Sequence, residues 1–101
     1  MKKLNFDQTP FENNGDKPEV EFPVNYELKV ILETGEKIDI QQRNLELVLE
    51  DADVNHSFVK SRHSSKGNFV SLTMHVTLDS MKQMQYLYRR LRLLPGLRFA
   101  V

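Results

Sequence analysis

The sequence has no cysteine. That absence removes disulfides, thiolate nucleophiles, iron–sulfur clusters and cysteine-ligated zinc together, and it fits a reducing compartment. Glycine is scarce, with four in 101 residues. None falls in a G-x-G-x-x-G fingerprint, a P-loop or a G-x-S-x-G nucleophile elbow. No apolar run approaches the ~20 residues of a membrane span. Residues 1–22 begin with Lys2 and Lys3 but have no apolar stretch behind them, which is not a signal-peptide pattern. These absences predict a soluble, cytoplasmic protein with no membrane association.

What is present has the size and make-up of one domain. A chain of 101 residues buries roughly 60–70% of its unfolded surface, enough for one core without staples. Hydrophobic residues form 40% and charged residues 28% of the chain, ordinary globular values. The net charge is zero, but residues 1–53 carry 13 acidic and 6 basic side chains, while residues 54–101 carry 1 acidic and 8 basic. A basic half can meet nucleic acid, an acidic ligand or a partner's acidic face. The plainer expectation is that the two halves meet in the fold and neutralise each other.

Periodicity divides the chain. Residues 1–22 show neither a two-residue nor a helical period and contain Pro10, Gly15, Pro18 and Asn13–Asn14. They read as a flexible N-terminal tail, with Phe6 and Phe11 able to pin it. The domain is expected over 23–101. Tyr26, Leu28, Val30 and Leu32 alternate with polar residues as in a half-buried strand, and Ile31 breaks the polar side. Ile38, Leu45, Val48, Leu49 and Ala52 have helical spacing over 38–52, with Asp39 or Thr34 as candidate caps. A strand over 54–63 follows, then the turn Ser64-Ser65-Lys66-Gly67-Asn68. Next come the clear alternation of Val70, Leu72, Met74, Val76 and Leu78 and, after Asp79-Ser80, a helix with Met81, Met84, Leu87, Tyr88, Leu91 and Leu94 on one face. Pro95-Gly96 stops it, and Leu97, Phe99 and Val101 alternate as a last strand. The order β-α-β-β-α-β with right-handed crossovers predicts an α+β, ferredoxin-like fold: a four-stranded antiparallel sheet, two helices on one face, the other face open.

The string Ser64-Ser65-Lys66-Gly67-Asn68-Phe69, followed by Ser71-Leu72-Thr73-Met74, resembles the YbeD-like family, as does Phe22-Pro23 before the first strand. The similarity is strongest over 61–94 and extends in outline over 22–101. The polar helix start Gln41-Gln42-Arg43-Asn44 departs from the family's apolar one. The resemblance implies a small bacterial domain of unestablished function, related in shape to the amino-acid-sensing ACT modules and not an enzyme. It also implies a regulatory or interaction role and, because ACT-like domains pair sheets or edges, a homodimer.

The sharpest candidate site is the loop formed by Arg62, His63, Ser64, Ser65, Lys66, Gly67, Asn68 and Phe69. Two cations, a histidine, hydroxyls and a glycine turn can hold an anion through backbone N–H groups and Lys66. The same residues also make an ordinary solvated hairpin turn. The expected partners are a small anionic ligand, a protein or a second copy. No cofactor is expected.

The histidines are not spaced for metal. His56 and His63, seven apart on one strand, should face opposite sides, and His75 should face the open side. Glu50, Asp51 and Asp53 lack the glycine and closing glutamate of a calcium loop and read as a solvated turn. No catalytic residue is assigned. An RNA-binding alternative arises because the RRM has the same element order. However, Lys66-Gly67-Asn68-Phe69-Val70 is one residue short of its motif, and Glu27 and Glu33 would repel a phosphate backbone. Arg89, Arg90 and Arg92 read either as a docking patch or as partners of Glu46 and Glu50 on the first helix.

Overall fold

The structure, a computed structural model, describes residues 21–101. Its elements run β1 Val24–Glu33, α1 Ile38–Asp51, β2 Asn55–His63, β3 Phe69–Leu78, α2 Met81–Leu91 and β4 Leu97–Ala100. The strands form one sheet in the order β2-β3-β1-β4, with every neighbouring pair antiparallel. This is the ferredoxin-like arrangement predicted from the periodicity. The expected tail over 1–22 lies outside the described residues except for Glu21 and Phe22, and Phe22 packs against the core.

The alternating apolar residues of the two central strands form the floor of the core. Leu28, Val30 and Leu32 of β1 and Val70, Leu72, Met74, Val76 and Leu78 of β3 are all buried. Leu45 and Leu49 of α1 and Met84, Leu87, Tyr88 and Leu91 of α2 close over them. Each such side chain contributes roughly 1.5–3 kcal/mol by leaving water. The start of α2 is capped as its sequence predicts: the Ser80 hydroxyl accepts from Gln83 N at 3.1 Å.

The start of α1 departs from expectation. Neither candidate cap serves it. Lys37 occupies the N-cap position with no side-chain bond, Asp39 accepts from the adjacent Ile40 N–H, and the Thr34 hydroxyl donates to Gly67 O at 2.9 Å. Gln41, part of the polar helix start, is instead buried. Its amide donates to the Glu33 carbonyl at 2.8 Å and ties α1 to the end of β1.

Two bulges redirect side chains. In β2 the register shifts between Phe58 and Lys60, so that His56 opposes Val76 and His63 opposes Val70. The extra residue cancels the odd spacing, and both histidines share the helix-side face rather than opposite faces. In β4, Leu97 opposes Leu32 while Phe99 opposes Ile31. The intervening Arg98 breaks the expected alternation and puts Phe99 on the face the helices leave bare.

The charged halves meet in part. Arg90 pairs with Asp51 at 3.1 Å and Arg98 with Glu33 at 3.1 Å. Glu46 and Glu50, the acids expected opposite the α2 arginines, are engaged by Arg43 of their own helix at 3.6 and 3.3 Å. Arg89 lies over the Tyr86 ring, 5.9 Å from its centre.

Candidate functional site

With both helices on one side, the other face of the sheet is a ruled surface of side chains whose rows follow from the strand register. Arg62, Ser71, Ile31 and Phe99 form one row across β2, β3, β1 and β4. The next holds Lys60, Thr73 and Lys29, and Val101 continues it by exchanging backbone hydrogen bonds with Lys29 at 2.9 Å. Beyond it lie Ser57, His75 and Glu27, then Asn55, Thr77 and Asn25. His75 is exposed on this face, as its strand position predicts.

At the hairpin end the face sinks into a shallow depression of about 530 Å³. Ile31, Phe69 and Phe99 give it an apolar wall, Arg62, Ser64, Ser65 and Ser71 supply polar groups, and His63 borders it at the strand end. Arg62 makes no ion pair among the described residues, and the nearby Glu33 carboxylate is taken up by Arg98. The same Arg98 guanidinium lies 5.7 Å from the centre of the Phe69 ring.

The loop that carries the sequence-predicted residues is organised by Ser64. Its backbone N–H donates to Phe69 O at 2.8 Å, its carbonyl accepts from Gly67 N at 2.9 Å, and its hydroxyl accepts from Phe69 N at 3.1 Å. Gly67 makes this turn possible with φ +74. Two of the loop's backbone amides, those of Gly67 and Phe69, are therefore used inside the loop. Of the eight predicted residues, Arg62, His63, Ser64, Ser65 and Phe69 border the depression; Lys66, Gly67 and Asn68 form the tip and do not line it.

Sequence reasoning did not gather Ile31, Ser71 and Phe99 with the loop, because they come from three strands. The one visible signal was Ile31, an apolar residue in the polar series of β1. The acidic turn after α1 borders a second hollow of about 440 Å³ with Asn55, His56 and Asp79. No group of three metal-binding side chains gathers there or elsewhere among the described residues, and Asp51 is held by Arg90 and the Tyr86 hydroxyl. No helix among the described residues is long and apolar enough to cross a membrane.

Residues 17–101 match the family described as "Protein of unknown function (DUF493)". The chain belongs to this family. Its curated relatives carry the UPF0250 name of the YbeD family, in agreement with the resemblance carried by the loop and β3. A UPF0250 protein of Pseudomonas fluorescens is 33% identical over 76 residues, covering 74% of this chain and 81% of the relative. One from Shewanella piezotolerans is 30% identical over 79 residues, covering 78% and 86%. Among solved structures, protein HP0495 from H. pylori superposes with a TM-score of 0.62 at 16% identity, over 93% of this chain and 98% of that one. The ACT domain from GTP pyrophosphokinase of Chlorobium tepidum superposes with a TM-score of 0.57 at 11% identity, over 78% and 96%. At such identities the likeness is one of fold: this DUF493 chain is ACT-like in architecture.

Proposed function

We propose that this domain is a non-catalytic binding module of the ACT-like kind, and that it takes a small organic anion with an apolar body in the depression at the hairpin end of its open face. One observation carries the reading. Ile31, Phe69 and Phe99 make an apolar wall directly beside Arg62, a cation with no carboxylate partner among the described residues. Small-ligand sites combine an apolar lining with a few polar groups that fix orientation, and a guanidinium offers a carboxylate, sulfonate or phosphate a forked pair of donors. The hydroxyls of Ser64, Ser65 and Ser71 add shorter-range donors.

A fluorescence titration with 8-anilinonaphthalene-1-sulfonate, an aromatic sulfonate of this chemistry, tests the reading. Saturable binding is expected, and Arg62→Ala should weaken it about tenfold, roughly 1.4 kcal/mol. Phe99→Ala should weaken it comparably, while Lys37→Ala should leave it unchanged. Absence of saturation, or equal affinity in Arg62→Ala, would contradict it. Salt-sensitive binding of single-stranded RNA across the face would favour the RRM-like alternative instead, against which Glu27 and Glu33 stand on the open side of β1.

A further inference from the structure

The row next to the depression holds an unusual combination. Thr73 lies on the face that no helix covers, yet it is 1% exposed, and its hydroxyl oxygen is buried without a hydrogen-bond partner among the described residues. Its neighbours across the sheet are both cations, Lys60 on β2 and Lys29 on β1. Neither ammonium makes an ion pair among the described residues. The bulge after Phe58 sets Lys60 opposite Thr73.

Edge protection accounts for only one of these lysines. A lysine on an edge strand blocks edge-to-edge pairing, and Lys60 is on the edge strand β2. Lys29 is on β1, an interior strand of the order β2-β3-β1-β4, where no edge needs protection. A buried hydroxyl without a partner is unfavourable. An anion seated between the two ammonium groups and accepting from the Thr73 hydroxyl supplies that partner. Arg62 stands one row away, opposite Ser71, and rows on one strand face are separated by about 7 Å. Neither row contains a carboxylate side chain.

We propose that Lys29, Lys60 and Thr73 form an oxyanion subsite, with Ser71 and Arg62 at its border, that binds the phosphate or carboxylate group of a ligand whose apolar body occupies the adjoining depression. The proposal rests on the same reading of the open face and adds a second anchoring point to it. Three cations in two adjacent rows favour a dianion, so a phosphate group should bind more tightly than a carboxylate.

The test is a series of ¹H–¹⁵N correlation spectra of the full chain at constant ionic strength, titrated with inorganic phosphate and, separately, with acetate. Phosphate should produce saturable shifts centred on the amides of Lys29, Lys60 and Thr73. Thr73→Val should weaken binding at least fivefold and Thr73→Ser should restore it, a pattern that loss of folding would not give. Lys29→Gln combined with Lys60→Gln should abolish the saturable shifts. Phosphate binding tighter than acetate supports a phosphate-bearing ligand, and equal affinities contradict the preference for a dianion. Shifts that do not saturate, shifts spread equally to Lys37 and Lys82, or undiminished affinity in Thr73→Val overturn the proposal. Phe99→Ala separates the two readings. Retained phosphate binding with lost arylsulfonate binding upholds the subsite, and if arylsulfonate binding persists in the wild type while phosphate does not bind, only the subsite fails.

Discussion

The hydroxyl oxygens of Tyr26 and Tyr88 lie 2.8 Å apart, joining β1 to α2 from the helix side of the sheet. Burial disfavours the phenolate, pushing Tyr26 up to about 12 and Tyr88 higher still, with the proximity of Tyr26 adding to the effect. An unfolded tyrosine titrates near 10, so above that pH the unfolded chain holds fewer protons than the folded one, and stability falls as pH rises. The contribution is complete below about pH 10. Above it, each phenol removes about 1.4 kcal/mol per pH unit, Tyr26 until about pH 12. Urea denaturation between pH 9 and 12 should show this decline, and the double variant Tyr26→Phe/Tyr88→Phe should flatten it.

Ser80→Ala removes the hydroxyl that receives the Gln83 amide at the start of α2. The expected loss is about 1 kcal/mol, a fall of about 4–8 °C in Tm, measurable by thermal circular dichroism.

Gln41→Met keeps the volume of a buried side chain but deletes its bond to the Glu33 carbonyl. A loss of about 1–2 kcal/mol in chemical denaturation is expected. A neutral result would mean that α1 is held by its apolar face alone.

Gly67→Ala isolates the backbone of the hairpin turn. A Cβ there meets nothing within 4 Å, so the cost is that of a positive φ in a residue with a side chain, about 1–2 kcal/mol. The variant should melt earlier without changing the far-ultraviolet spectrum.

The architecture was legible because β1, β3 and α2 carry strong periods: Leu28 to Leu32, Val70 to Leu78 and Met84 to Leu91 each mark one buried face. What escaped sequence reasoning depends on single residues that shift register. The bulge after Phe58 carries His63 onto the face of His56, and Arg98 turns Phe99 outward. Neither has a composition signal, since a bulge shows only in the pairing with the neighbouring strand. The burial of Gln41 within the polar helix start has no sequence signal, because its partner, the Glu33 carbonyl, is a backbone group eight residues away. The loop Arg62 to Phe69 stood out by composition, but Ile31 and Phe99 join its near end only through strand pairing. That pairing places Arg62 beside them, while Lys66 stays at the tip.

If ligands bind on the open face and not on the helices, intermolecular nuclear Overhauser effects from bound 8-anilinonaphthalene-1-sulfonate should connect the aromatic rings of the probe to the Ile31 methyls and the Phe99 ring. Contacts instead to Leu47 and Leu93, two exposed apolar residues of the helical side at 47% and 70%, would place the binding surface there and overturn the open-face reading.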